Sequence, residues 1–266
     1  MAQLLAIARN IYLIDPVTGT YKEYNNEDWS STVSGALIPS TRKIYVTTTF
    51  NNLWELSLAD NNIRKISWDG WSACNTLVAV PDDPNECTYK LFAFCHKLWL
   101  VDDPNTGHCI DFLGGYTDIW ARVNAAVAVG QKIFATTSAN NLWTVDIVTK
   151  ETKKLGGGSD NWSNCRALAN VGGRLLAFCL GLWEVNTNNG DYTPFFDKDS
   201  EEANRSWLGT KAVTVIDTCV YVVVGEQLLA LDTVSKKIKE VSKDNWGSTK
   251  ALFSIKQSDE PILSTL

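Results

Sequence analysis

The sequence predicts an all-β fold, a six-bladed β-propeller made of four-stranded antiparallel blades. Three observations predict it. A tryptophan recurs six times in similar polar surroundings, four short apolar runs follow one another within each repeat, and helical periodicity is absent. The two ends of the chain also carry complementary parts of one repeat. We therefore expect one propeller domain over residues 1–266.

The repeat is defined by six tryptophans, which we call the junction tryptophans. They occur in NEDWSS at Trp29, WDGWSA at Trp71, YTDIWAR at Trp120, SDNWSN at Trp162, NRSWLG at Trp207 and KDNWGS at Trp246. Successive gaps are 42, 49, 42, 45 and 39 residues, and the step from the last through the chain ends to the first is 49. These values describe six units of similar length.

Each unit contains the same four runs in the same order. The first is apolar: TLVAV (76–80), AAVAV (125–129), ALANV (167–171), AVTVI (212–216) and ALFSI (251–255). The second is KIYVTT (43–48), KLFAFC (90–95), KIFATT (132–137), RLLAFC (174–179) and CVYVVV (219–224). The third is NLWELS (52–57), KLWLVD (97–102), NLWTVD (141–146), GLWEVN (181–186) and QLLALD (227–232). A more polar fourth run comes next, such as NNIRKISW (61–68) or KKIKEVS (236–242). Short β-branched and aromatic runs bounded by Asn, Asp and Gly are typical of strands, and four of them in 40–50 residues are typical of a propeller blade.

The chain ends predict how the ring closes. LLAIARNIYLID (4–15) aligns without gaps on LLAFCLGLWEVN (175–186), so the N-terminus should supply the second, third and fourth strands of one blade. Residues 251–255 should supply its first strand, which removes two free sheet edges. PILSTL (261–266) resembles another second strand, and the sequence leaves open an outer strand, a path across one face or a swap into a neighbour.

Composition and net charge argue against several classes of partner and of activity. With 24 Lys+Arg against 30 Asp+Glu, the net charge of −6 argues against nucleic acid or an anionic membrane as the main partner. The sequence contains no run of 18 apolar residues that could span a bilayer.

The sequence also lacks the features of a catalytic site. The first strands are rich in Ala and Val and carry no carboxylate cluster for the metal of a lactonase-like propeller. His96 and His108 have no evident catalytic partner. We expect no catalytic activity, no metal and no cofactor.

The cysteines and the N-terminus bear on location. Seven cysteines lack metal-type pairs, and Cys95 and Cys179, like Cys74 and Cys165, occupy equivalent positions in different repeats, which lie far apart in a ring. Reduced, buried thiols are therefore expected. The N-terminus has no basic segment before its apolar residues, so we expect a cytoplasmic protein or one exported without a classical signal peptide.

Residues around the junction tryptophans suggest a sugar site. A carboxylate stands two residues before five of them, at Glu27, Asp69, Asp118, Asp160 and Asp244, whereas Arg205 breaks the pattern. A polar residue stands four residues after five of them, at Asn75, Asn124, Arg166, Lys211 and Lys250, whereas Val33 departs. An indole face can stack on a pyranose while a carboxylate accepts hydrogen bonds from its hydroxyls. Weak sites repeated around one face would gain through multivalency.

A purely structural interpretation stands beside this one. The carboxylates can form turns, and the junction tryptophans can be wedged between blades. The tryptophans of the third run, Trp54, Trp99, Trp143 and Trp183, with Tyr12 and Leu229 as their equivalents, alternate along a strand and are predicted to pack in the core.

Two of the units resemble a known family. The segment from Trp162 to Val185 and the segment from Asp69 to Val101 are similar to the blades of tachylectin-2 and of the broader tectonin-like lectins, although tachylectin-2 has five blades and this chain counts six. The resemblance implies a sugar-binding propeller with one shallow site per blade or blade junction, and amino sugars such as GlcNAc or GalNAc as its ligands. The alternatives are a protein-interaction scaffold, which predicts one asymmetric patch, and a lactonase-like hydrolase, which a bound divalent metal would indicate.

Overall fold

The computed structural model describes residues 2–25, 27–67, 70–71, 73–83, 88–115, 118–156, 162–242 and 244–255. Within these ranges the chain forms 24 β-strands, and its helical segments are four short 3-10 turns. The turns are Pro39–Thr41, Trp120–Arg122, Trp162–Asn164 and Glu201–Asn204. Two of them begin at a junction tryptophan.

The strands form six antiparallel sheets of four strands each. Blade 1 contains β1 (Gln3–Ile7), β2 (Ile11–Ile14), β3 (Tyr21–Asn25) and a strand from the C-terminus. Blade 2 contains β4 (Thr32–Ile38), β5 (Lys43–Thr48), β6 (Leu53–Ser57) and β7 (Ile63–Ser67). Blade 3 contains β8 (Thr76–Asp83), β9 (Thr88–Phe94), β10 (Leu98–Asp103) and β11 (His108–Asp111). Blade 4 contains β12 (Val123–Val129), β13 (Lys132–Thr137), β14 (Asn141–Asp146) and β15 (Thr152–Leu155). Blade 5 contains β16 (Ala167–Val171), β17 (Arg174–Phe178), β18 (Leu182–Val185) and β19 (Tyr192–Pro194). Blade 6 contains β20 (Thr210–Ile216), β21 (Cys219–Val224), β22 (Gln227–Asp232) and β23 (Lys237–Ser242), and β24 (Ala251–Ile255) completes blade 1.

The first strands of the six blades surround the axis of the ring. Each contacts the first strand of the next blade, in the order β4, β8, β12, β16, β20, β24 and back to β4. In blade 1, β24 pairs antiparallel with β1, from Gln3 opposite Ile255 to Ile7 opposite Ala251. The predicted six-bladed propeller and its closure by both chain ends are therefore confirmed. The C-terminal tail, residues 257–266, lies outside the described residues.

Burial explains the character of the repeated runs. In the second strands, such as β5, β13 and β17, every residue after the first is buried, because neighbouring blades cover both faces of the sheet. This is why their sequences are continuous apolar runs. The fourth strands lie at the outside of the blades, so that three of four residues of β15 are exposed and most residues of β23 are polar.

A buried carboxylate joins three residues of blade 2. Glu55 accepts hydrogen bonds from Lys43 Nζ at 3.0 Å, Arg64 Nε at 2.8 Å and the Tyr45 hydroxyl at 3.1 Å. Burial alone would raise the pKa of this carboxyl, but the hydrogen bonds from Arg64 and Lys43 outweigh it, and the pKa lies below its ordinary value of 4.5. Arg64 also donates to Asn105 Oδ1 in blade 3 at 3.1 Å, which links the two blades.

This network predicts a pH-dependent loss of stability in Glu55→Gln. Because the folded-state pKa lies below the ordinary value, the carboxylate stabilises the fold above that value, and this contribution disappears as the pH falls through the folded-state pKa. Urea unfolding at pH 7 should show a loss of about 1–3 kcal/mol, since a buried donor set loses its charged acceptor. The difference from the wild type should shrink as the pH is lowered below 4.5 and the carboxyl becomes protonated. The exposed Glu240→Gln is the matched control, and an equal loss in both variants would contradict this assignment.

Candidate functional site

The loops that carry the junction tryptophans lie on one face of the ring. The start of each first strand pairs with the end of the second strand, as in Ala167 opposite Phe178. The loop before the first strand and the loop between the second and third strands therefore share one end of each blade. We call this end the junction face.

The junction tryptophans are buried, with relative exposures of 4% (Trp29), 4% (Trp71), 3% (Trp120), 3% (Trp162), 0% (Trp207) and 3% (Trp246). Each belongs to a different apolar cluster, and each cluster combines side chains of two adjacent blades. Trp207, for example, packs among Phe178 and Phe195 of blade 5 and Val222 and Leu229 of blade 6. Packing between blades is therefore the role that burial shows for these indoles. Stacking on a sugar remains a prediction, for which Trp29, Trp71 and Trp162 offer only the small area that lines a cleft.

The backbone holds several of these wedges in place. The amide of Trp29 donates to the Arg9 carbonyl at 2.7 Å, and that of Trp246 donates to the Glu226 carbonyl at 2.9 Å. In both cases the acceptor lies in the loop between the second and third strands of the preceding blade. The tryptophan is thus bonded to one blade through its backbone and fills the interface to the next with its ring.

The described members of the predicted carboxylate set differ in their surroundings. Glu27, Asp118 and Asp244 are exposed, whereas Asp69 and Asp160 lie outside the described residues. Asp244 Oδ2 accepts a hydrogen bond from the Ser242 hydroxyl at 2.7 Å, which fits a turn-forming role. Of the three described carboxylates, Glu27 is the one that lines a cleft.

The residues four positions after the junction tryptophans lie around the axial channel. In blades 2, 4 and 6 the pairing of the first two strands skips one residue, which leaves Val33, Asn124 and Lys211 in a β-bulge. A bulge changes the direction of a side chain. All six equivalents, which we call the channel-mouth residues, line one cavity of about 260 Å³: Val33, Asn75, Asn124, Arg166, Lys211 and Lys250.

Two channel-mouth residues join neighbouring blades. Asn75 Nδ2 donates to the Ala121 carbonyl at 2.8 Å, and Asn124 Nδ2 donates to the Ser163 carbonyl at 3.1 Å. Each acceptor comes directly after the junction tryptophan of the next blade. These two side-chain amides therefore join neighbouring blades. The polar residues predicted as a sugar rim beside the tryptophans lie around the axial channel.

The third-run tryptophans lie at the edge of the core. Trp54, Trp99, Trp143 and Trp183 each pack against an apolar cluster between two blades, as their alternation predicted, and each is also partly exposed. Trp54, Trp99 and Trp183 line clefts beside a junction tryptophan. The third strand lies farther from the axis than the second, so that neighbouring blades cover it less. Alternation along a strand carries no information on this radial position.

The cleft between blades 1 and 2 combines aromatic and polar groups. It has a volume of about 140 Å³ and is lined by Glu27, Asp28, Trp29, Ser31, Thr48, Phe50, Asn52 and Trp54. Phe50 is 74% exposed at its rim. The Trp54 ring is held by a T-shaped contact with Trp29, with centroids 5.9 Å apart, and by Lys65 Nζ at 5.8 Å from its centre. Hydrogen bonds from the side chain and backbone of Ser30 keep the pKa of the Asp28 carboxyl below its ordinary value.

The other clefts differ in their chemistry. The cleft at blades 2 and 3, of about 370 Å³, is lined by His96, Lys97, Trp99 and two cysteines among others. The cleft at blades 4 and 5 is mainly apolar and contains Leu180, Trp183 and Tyr192. The sites are therefore unequal copies of one arrangement.

Two pairs of thiols lie within single blades. In blade 3 the thiols of Cys74 and Cys95 lie within hydrogen-bonding range of each other. In blade 5 the thiols of Cys165 and Cys179 do the same. All four are buried, and all six described cysteines are free thiols. The neighbouring thiol and burial together raise the pKa values of Cys74 and Cys179, and burial raises the pKa of Cys109 to about 12.

Neither a metal centre nor a membrane-spanning helix occurs within the described residues. They contain no group of three or more His, Cys, Asp and Glu side chains arranged for a metal ion. None of their helices has the length and apolar character that crossing a bilayer requires. His108 Nδ1 lies 2.7 Å from Asp102 Oδ1, a carboxylate partner that the sequence did not reveal, and the His108 side chain is exposed.

Comparisons with known proteins identify the fold. No family model matches the chain, and no curated protein matches it. A crystal structure of a nidogen/laminin complex is similar with a TM-score of 0.70 at 12% identity, over 96% of this chain and 98% of the other. A structural genomics protein of unknown function from Bacteroides thetaiotaomicron VPI-5482 is similar with a TM-score of 0.62 at 11% identity, over 92% of this chain and 65% of the other. At these identities the likenesses show the fold alone, a β-propeller.

The wedge assignment predicts that Trp162→Ala is strongly destabilising. Truncating a fully packed tryptophan costs about 3–5 kcal/mol, because burial is lost and a cavity remains. Urea unfolding followed by circular dichroism measures this loss. Trp183→Ala, which truncates a partly exposed ring of blade 5, is the matched control and should lose less than half as much. Equal losses would contradict the distinction between the two tryptophan sets.

The thiol environments predict selective protection. In the folded protein at pH 8, Cys74, Cys95, Cys165 and Cys179 should react with iodoacetamide far more slowly than after unfolding in urea, because they are buried and the thiolate is the reactive form. Peptide mass spectrometry after timed labelling measures this residue by residue. Rapid native labelling of these four positions would contradict the assignment.

Proposed function

We propose that the protein is a non-catalytic carbohydrate-binding propeller that takes single sugar rings in clefts between blades, with a third-run tryptophan as the apolar wall. The observation that carries this proposal is the blade 1–2 cleft. There a partly exposed indole, Trp54, shares a small depression with Glu27 and Asp28. An aromatic wall beside carboxylates supplies both kinds of contact that a pyranose offers.

The dimensions of the clefts favour a small ligand. The clefts that contain Trp54 and Trp99 measure about 140 and 370 Å³, at or below the low end of the ~300–1,000 Å³ common for larger ligands. Asp28 is exposed, and an exposed aspartate is charged at neutral pH, so that it can accept hydrogen bonds from vicinal hydroxyls. The buried Thr48 hydroxyl, at the base of the same cleft, has no hydrogen-bond partner among the described residues.

The unequal clefts limit the multivalent form of this hypothesis. A mainly apolar cleft beside Leu180 and one with His96 and Lys97 would not take the same sugar with the same strength. We therefore propose one principal site between blades 1 and 2, with weaker contacts elsewhere. The amino sugars implied by the resemblance to tectonin-like lectins are the first class to test.

A protein-interaction scaffold is the second candidate. Phe50 and Leu180 are 74% and 56% exposed, and both lie in loops of the junction face. Exposed apolar side chains on one face of a ring suit contact with a folded partner. This function requires one asymmetric surface and no sugar.

A glycan array followed by calorimetry with the best sugar tests the first candidate. Trp54→Ala should weaken binding about 3- to 10-fold, as expected for loss of one aromatic contact worth roughly 0.5–1.5 kcal/mol. The matched control is Trp143→Ala, which truncates the equivalent, partly exposed tryptophan of blade 4. Thermal melting of both variants checks their folding. No retention on any glycan, or equal weakening by both variants, would exclude the proposed site and leave the scaffold.

A further inference from the structure

The cavity at the axial channel is lined by cations without matching acids. Arg166, Lys211 and Lys250 enter it from blades 5, 6 and 1, which are consecutive in the ring. All three are exposed, and none forms an ion pair within the described part of the chain. No Asp or Glu is among the described residues that line this cavity. A local charge of +3 therefore stands in a protein whose net charge is −6.

The position of these residues at the start of the first strands explains why their side chains converge. The strand pairing passes from Thr210 to Ala212 and leaves Lys211 unpaired, and Arg166 and Lys250 occupy the equivalent positions ahead of β16 and β24. Their backbone amides are fixed, since Arg166 donates to the Phe178 carbonyl at 2.7 Å and Lys250 to that of Ile7 at 2.7 Å. The side chains thus extend from rigid anchor points.

The opposite half of the channel mouth is uncharged. Val33 is apolar, and the amides of Asn75 and Asn124 donate to backbone carbonyls of the next blade. A brace between blades accounts for these asparagines. It does not account for the three cations, because no side-chain hydrogen bond from them to a neighbouring blade exists among the described residues. Like charges on adjacent strands repel each other, and an anion between them would remove this cost.

We propose that the mouth of the axial channel is an anion-binding site in which Arg166, Lys211 and Lys250 together bind one tetrahedral oxyanion, a phosphate or sulfate group. A guanidinium presents a planar fork that matches two oxygens of such a group, and the two ammonium groups act as point charges on the others. A concave site lined by one sign of charge concentrates the field on its ligand. The proposal is independent of the sugar cleft, since the two sites share no residue.

Titration calorimetry of the full chain at low ionic strength tests this site. The probes are inorganic phosphate and phenyl phosphate, which distinguish a free ion from the same group carried on an organic ligand. We expect one equivalent of phosphate to bind, with an affinity that falls as sodium chloride is raised, and tighter binding of phenyl phosphate if the group arrives on a larger ligand.

Single-charge variants locate the site. Lys211→Gln, Lys250→Gln and Arg166→Gln should each weaken phosphate binding at least fivefold, and the triple variant should abolish it. Lys153→Gln removes an exposed charge from β15, outside the channel, and should change binding less than twofold. Phosphate should also raise the melting temperature of the wild type and not that of the triple variant.

Two results would overturn the proposal. One is the absence of phosphate and phenyl phosphate binding to the wild type at low salt. The other is binding that survives in the triple variant, which would place the anion elsewhere. Neither result bears on the sugar cleft, and a negative glycan array leaves this test unchanged.

Discussion

The packing of one tryptophan into each blade interface is the constraint on which the rest of the ring depends. A four-stranded blade is apolar on both faces and cannot cover them alone, so that its neighbours must do so. An indole buries about 150–250 Å² and fills the gap that two twisted sheets leave near the junction face. The amide of the same residue holds the preceding blade, as at Trp29 and Trp246. Ring and backbone together fix where one blade ends and the next begins.

That fixed point also determines the roles of the next residues along the chain. In blades 2, 4 and 6 the third residue after the tryptophan forms a cross-strand pair, such as Thr32 opposite Thr48 or Thr210 opposite Val224. The fourth residue lines the channel in every blade; it lies in a bulge in these three blades, as Lys211 does, and directly ahead of the first strand in the others. One short segment thus supplies a wedge and a channel residue in constant order. Buried wedges tolerate little change, whereas the channel residue can vary from valine to arginine without disturbing the strand pairing.

The fold could be predicted from the sequence because the repeated apolar runs mark the residues that become buried in each blade. This pattern is contained within each unit. We could recognise the apolar runs, their order and the closure of the ring by residues 251–255 without knowing the distance between any two residues. The site could not be recognised in this way, because exposure depends on radial position and on bulges that the sequence does not display. Trp54 was assigned to the core and Trp162 to a ligand, yet Trp54 is partly exposed in a cleft and Trp162 is buried. The pairing of Cys74 with Cys95 could not be predicted for a related reason, since only the register brings two ends of one hairpin together.

The differences among the repeats carry more information on function than their common features. The common geometry gives every blade a wedge, a channel residue and a partly covered third strand. On this uniform backbone, charge is confined to one half of the channel mouth, and carboxylates meet a partly exposed indole at the cleft between blades 1 and 2. A ring selected only for packing has no reason to place Arg166, Lys211 and Lys250 at consecutive inner strands, because their mutual repulsion opposes closure. Ligand recognition is therefore expected at the positions where the six units differ in sequence. The six junction tryptophans hold the blades in the geometry that presents these positions.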